Sequence, residues 1–318
     1  MNLTLELCIM KKKVRETWRK IKKNLFPANY IFERIDSIKY EVRRSSLIQS
    51  LLKSNEPGVL STPYCDHEII VSLTSYGKRL YEVGVTIESI MQQTMPPNRI
   101  VLNLDKEAES LPMPITLQRL MKRGLEINII PDHIRSYKKL LPTLQLFPNA
   151  IIITVDDDCI YEFDLIERLF NSYLKYPNAV SAVRVHSILL GKDGKPLPYH
   201  KWQVANAFAE KGNRLFPTGV GGGLYPPGTF STEVFNQEVF TRLAPTADDI
   251  WFHAMAIMNG TEIVKVPSHS NDNEDHIENV LVQDIGLINQ NCELNRANDI
   301  QLKAVYDYYD IYPLLSRT

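Results

Sequence analysis

The sequence predicts an α/β fold, a mainly parallel sheet with helices on both faces, preceded by a separate helical region near the N-terminus. Three observations point that way. From Ile69 to Val155, short runs of β-branched residues alternate with segments whose apolar residues recur at helical spacing. Each strand-helix-strand unit is long enough for a right-handed crossover. The chain has 318 residues, 44% of them hydrophobic, enough to bury a core on both sides of such a sheet.

In chain order, Lys11 to Lys23 reads KKKVRETWRKIKK, eight Lys and Arg against Glu16, with Val14, Trp18, Ile21 and Leu25 at helical spacing. A basic amphipathic helix of this kind lies on anionic lipid, or packs its stripe on the main domain or a second subunit. Residues 54 to 67, SNEPGVLSTPYCDH, read as a linker because of Pro57, Gly58 and Pro63. The expected organisation is therefore a basic helical region and linker at 1–66 and a main domain at 67–318. Ile69 to Leu73 is the first strand. Tyr81 to Gln93 sets Val83, Ile87, Ile90 and Met91 on one helical face before Pro96-Pro97 breaks the chain. Arg99 to Leu104 is the second strand, and Ile115 to Arg123 a helix stopped by Gly124. Leu125 to Ile130 is the third strand. Ser136 is a candidate cap for a helix carrying Leu140, Leu144 and Phe147, and Ala150 to Val155 is the fourth strand.

With 36 Lys and Arg against 37 Asp and Glu, the formal charge of −1 offers no overall attraction for nucleic acid. Cys8, Cys65, Cys159 and Cys292 lie far apart, without the paired spacing of a zinc site or a disulfide framework. No apolar stretch of about 18 residues could span a bilayer, and no secretory signal core opens the chain. The expectation is a cytoplasmic protein, with peripheral contact at the cytoplasmic face of the inner membrane on the lipid reading of Lys11 to Lys23.

The fourth strand runs into three carboxylates, Asp156, Asp157 and Asp158, in IITVDDDCIY. Ligands of parallel sheets bind beyond the carboxyl ends of the strands. Three adjacent negative charges there call for a cation, and oxygen ligands in this arrangement suit Mg²⁺ or Mn²⁺ with positions left for phosphate oxygens. An aspartate-rich turn would account for one of the three.

The ordered segments VSLTSYGKRL, TIESIMQQTMPPNRIVL, SYKKLLPTLQLFPNAIIITVDDDCIY, GVGGGLYPPGTF, ADDIWFHAMAIMNGT and NDIQLKAVYDYY, from about Ile69 to Tyr309, resemble nucleotide-sugar glycosyltransferases of the GT-A (Rossmann-like) fold, of the bacterial surface-polysaccharide type. The resemblance implies that Asp156 and Asp158 hold Mn²⁺ or Mg²⁺ and that Asp157 assists or contacts the ribose. It implies nucleotide contacts from Thr74, Ser75, Tyr76 and Arg79 after the first strand, from Asp105 after the second, and from Lys138 and Lys139 facing the diphosphate. Asp249, or its neighbour Asp248, would be the general base that takes the acceptor's proton. The alternative for both is a helix start, where Asp is favoured. Gly221, Gly222 and Gly223, with Tyr225 at their edge, would wall the donor sugar and acceptor.

Further along, a late histidine completes the metal shell in some enzymes of this fold, which makes His269 or His276 a candidate, but SHSNDNEDH departs from that pattern and both stay outside the metal set; Asn298, Asp299 and Gln301 match a C-terminal motif of the family without an assigned role. The implied partners are a nucleotide-sugar donor, UDP-linked by family likeness, and a saccharide acceptor, free or lipid-linked. Transfer would invert the anomeric centre. Competing readings are a noncatalytic nucleotide-sugar or polysaccharide binding module, a haloacid-dehalogenase-like phosphatase, whose motif generally opens its domain, and a nucleotidyltransferase. The last would need a glycine-rich phosphate loop where TSYGKR has only Gly77.

Overall fold

The computed structural model describes residues 27–205, 210–269, 275–279, 282 and 297–316. The predicted helix at Lys11 to Lys23 lies outside them. Strands β1 (Ile69–Thr74), β2 (Arg99–Asp105), β3 (Leu125–Ile130) and β4 (Ile151–Thr154) are mutually parallel, as the sequence predicts. They extend into one eight-stranded sheet, in the order β3-β2-β1-β4-β11-β6-β12-β9, with β6 (Val180–Ala182), β9 (Glu210–Lys211), β11 (Gly223–Tyr225) and β12 (Ile263–Lys265). β11 runs antiparallel to both β4 and β6, and β9 antiparallel to β12. Two small sheets flank it. β7 (Val185–Ser187), β8 (Gln203–Val204) and β10 (Leu215–Pro217) form one, and β5 (Cys159–Tyr161) pairs with β13 (His276–Glu278) in the other.

Side-chain alternation along the strands builds a core on each face. Ile69, Val71, Leu73, Ile151 and Ile153 meet α2 (Val83–Met91), α3 (Ile115–Met121) and α5 (Leu165–Lys175). Ile70 and Ile152 join the opposite core with α4 (Leu141–Leu146), α6 (Gln237–Leu243), α7 (Asp248–Met258) and α8 (Ala297–Tyr308). Along α7 the residues Ile250, Trp251, Phe252, Ala254, Met255, Ala256 and Ile257 are all buried, so this helix is enclosed on every side. Enclosure fixes its N-terminus, which matters below. α1 (Pro27–Lys53) docks through Tyr40, Leu47 and Leu51, with Arg44 paired to Glu82 just before α2. Among the described residues no helix is long and apolar enough to cross a membrane.

The helix edges differ from expectation where local geometry intervenes. A 3₁₀ turn, Gly77–Tyr81, precedes α2, so the helix starts at Val83. Gly124, at φ 110, ends the turn after α3, as expected of a C-terminal glycine. Ser136 caps nothing: it sits inside another 3₁₀ turn, Arg135–Lys139, and α4 begins only at Leu141 with Pro142 in its first turn.

Candidate active site

At the carboxyl ends of β1, β2 and β4 opens a crevice of about 540 Å³, within the size range of small-molecule sites. β4 is fully buried between β1 and β11, and the acidic triplet emerges where it ends. The three carboxylates then diverge. Asp157 turns inward: Ser75 Oγ donates to it at 2.6 Å, Arg79 at 2.8 Å, and Thr86 Oγ1 donates to its carbonyl at 3.0 Å. Burial pushes its carboxyl up to about 6, against the pull of Arg79. Arg79 also pairs with Asp158 at 3.0 Å. Asp156 faces Lys139, 3.1 Å away, and its N–H donates at 2.8 Å to the hydroxyl of Tyr161, which in turn donates to Val220.

Asp248 and Asp249 open α7 from the far wall. With Ala247 as N-cap, both lie in the first helical turn, where the helix dipole favours negative charge. The buried ammonium of Lys139 reaches Asp248 at 3.2 Å as well as Asp156, so one lysine joins two acidic motifs from distant parts of the sequence. Burial alone would lower its pKa; Asp156, Asp248 and Asp249 outweigh that and hold it well above the ordinary lysine value. Asp249 accepts the Gly219 N–H at 3.2 Å. Burial raises its carboxyl to about 7; Lys139 opposes the rise, and Asp248 and Asp156 add to it. A carboxyl titrating near neutrality in a crevice lined by charged side chains suits proton transfer.

Several expected contacts take different positions. Thr74, Tyr76, Arg79, Asp105, Lys138, Lys139 and Asp157 all line the crevice. Ser75 lies behind it, spent on Asp157. Lys138 does not join Lys139: its ammonium pairs with Asp105, which also has His133 at 3.4 Å, so the two lysines serve different carboxylates of the crevice. The glycine segment contributes Gly219 and Val220 to the lining rather than Gly221, Gly222, Gly223 and Tyr225. Gly221 is pressed on Arg184, where a Cβ would come 2.3 Å from the arginine Cβ. Gly222 turns at φ 85 toward Leu165, Gly223 enters the sheet, and Tyr225 is buried in the core beside Phe230. Gly219 leaves open the space before Lys139, since a Cβ there would sit 2.4 Å from its ammonium.

His269 lies away from the crevice, 2.8 Å from Asp164. His276 is on β13, whose pairing with β5 brings Glu278 opposite Cys159 and into the crevice wall. His276 holds the Glu278 carboxyl below its ordinary value. Glu278 escaped the sequence reading because only strand pairing carries it there. Arg184 and Thr218, 2.9 Å apart on neighbouring segments, were missed for the same reason.

No protein-family model matches the chain, and no curated protein matches it. Among solved structures, CMP:2-keto-3-deoxy-manno-octonic acid synthetase complexed with CTP aligns at 14% identity over 63% of this chain and 90% of its own, with a TM-score of 0.39. HddC from Yersinia pseudotuberculosis aligns at 12% identity over 50% and 77%, TM-score 0.34. The 4-diphosphocytidyl-2C-methyl-D-erythritol synthase from Anaerococcus prevotii aligns at 13% identity over 55% and 77%, TM-score 0.35. Superpositions this distant carry no inference about activity, and the chemistry has to be read from the crevice itself.

Proposed function

We propose that the chain is a metal-dependent glycosyltransferase, moving a sugar from a nucleotide diphosphate sugar, UDP-linked by family likeness, to a saccharide or lipid-linked saccharide in surface-polysaccharide synthesis. One observation carries the reading: Lys139 contacts both Asp156 and Asp248, so the acidic triplet and the carboxylates of α7 share a crevice. In this reading the nucleotide lies over Thr74 and Tyr76, with Asp105 and Lys138 at its base or ribose end. The diphosphate meets Arg79 and Lys139, whose charges offset its own.

Asp156 and Asp158 would hold the divalent ion. Their donor chemistry fits, since both offer hard carboxylate oxygens. Among the described residues no group of three or more His, Cys, Asp or Glu is arranged to hold a metal. When bound, that ion would offset charge developing on the diphosphate. The acceptor hydroxyl attacks the anomeric carbon, its proton passes to Asp249, and the bond to the diphosphate oxygen breaks with its electron pair leaving on the nucleotide. With Asp249 across the sugar ring from the diphosphate, the displacement would invert the anomeric centre.

The test is a donor screen: purified protein with Mn²⁺ or Mg²⁺, nucleotide sugars and saccharide acceptors, following nucleotide release. The expected result is acceptor-dependent release from one donor, lowered by about 10² to 10⁴ in Asp249→Asn with donor binding kept. Pyrophosphate release from a nucleoside triphosphate and a sugar phosphate would mean nucleotidyl transfer instead. Phosphate release from simple monoesters would mean a phosphatase, and donor binding without turnover a binding module.

A further inference from the structure

The lining of the crevice also includes the aromatic side chains of Tyr199 and Phe216, together with Arg184, Thr246 and Asn298. Tyr199 is half-buried and stands on a short 3₁₀ turn, Tyr199–Lys201. Against it the Trp202 ring lies 4.9 Å away and the Phe216 ring 6.0 Å away, the latter edge-on at 84°. Those two are 7% and 1% exposed, and Trp202 Nε1 donates to Leu197 at 2.8 Å, so the aromatic wall is anchored. Phe216 and Gly219 are three residues apart, which limits their Cα separation to about 11 Å. Gly219 binds Asp249, so the wall adjoins the proposed base.

The C-terminal motif ties both together. Asp299 accepts the Tyr199 N–H at 2.6 Å. Gln301 Oε1 accepts the Thr246 N–H at 2.9 Å, and its Nε2 donates to Thr246 Oγ1 at 2.9 Å. Thr246 lies two residues before Asp248, so one turn of α8 holds the aromatic wall and the start of α7 in register. This gives Asp299 and Gln301 the positioning role that the sequence left unassigned.

An aromatic face rimmed by a guanidinium and an amide matches a pyranose, whose C–H face covers a ring while its hydroxyls reach the rim. We propose that this aromatic shelf is the acceptor subsite, and that it takes a pyranose stacked on Tyr199 with a hydroxyl toward Asp249. The proposal rests on the glycosyl-transfer reading for the word acceptor; saccharide binding at the shelf is tested separately.

Methyl glucopyranoside, galactopyranoside and N-acetylglucosaminide are titrated into the full chain while tryptophan emission is followed, with Trp202→Phe identifying the reporter. A saturable change in Trp202 emission with at least one of them is expected. It should weaken about tenfold in Tyr199→Leu, which keeps apolar bulk, and stay within about twofold in Tyr199→Phe. Near-ultraviolet circular dichroism establishes that each variant is folded. Absence of binding by any pyranoside to folded wild type overturns the proposal, as does unchanged affinity in folded Tyr199→Leu. Saccharide binding with no binding of UDP, GDP, CDP or dTDP, each with Mn²⁺, in a parallel thermal-shift titration would sustain the shelf and sink the transfer reading.

Discussion

Asp249 meets two opposing demands: as a base it has to lose its proton near neutrality, yet it is half-buried beside two other carboxylates. Its folded value near 7 lies above the ordinary carboxylate value, as does that of Asp157 near 6. A carboxyl raised in the folded state stabilises the fold below its unfolded pKa, and that contribution is lost as pH rises through the folded value. The ligand-free protein should therefore lose stability between about pH 4 and pH 7 through these two groups. Asp249→Asn should flatten the slope of Tm against pH in that window, and a slope identical to wild type would contradict the assignment. Asp156 stood out in the sequence because it follows the end of a strand, whereas Lys139 came only from the resemblance; the fold brings the two within 3.1 Å. Adjacency in sequence says nothing about which partner a side chain meets: a 3₁₀ turn sends the ammonium groups of Lys138 and Lys139 to different carboxylates.

At the scale of elements, the helices under the sheet carry a polar seam. Glu88 of α2, fully buried, pairs with Arg123 after α3 and accepts from Ser50 of α1 at 2.9 Å. Removing the guanidinium strands a buried charge, so Arg123→Met should cost about 3–5 kcal/mol in urea unfolding, and adding Glu88→Leu should restore most of it. A loss below about 1 kcal/mol for the single change would show that the pair is solvated. The strands β1 to β4 were legible because alternation and β-branching coincide within each run. The short strands β5 and β13 were not: they have three residues apiece and exist only through each other, which hid Glu278. The glycine segment was legible as irregular backbone, but which glycines face the crevice depends on β11 entering the sheet at Gly223.

For the whole molecule, a parallel sheet delivers several strand ends to one edge, and the enclosed helix α7 presents two carboxylates across from them. The near-neutral total charge hides this concentration of acid around Lys139. Ligand bridging the two walls should stabilise the fold by about 2.7 kcal/mol at a hundred times its Kd. The central claim, that the triplet and its ion grip a nucleotide diphosphate, is tested most directly by calorimetric titration of UDP into wild type and Asp158→Asn, with and without Mn²⁺. Binding in wild type that strengthens at least tenfold with Mn²⁺, and loses that dependence in the variant, is the predicted result. Equal UDP affinity with and without the ion, or an unchanged ion dependence in Asp158→Asn, would contradict it.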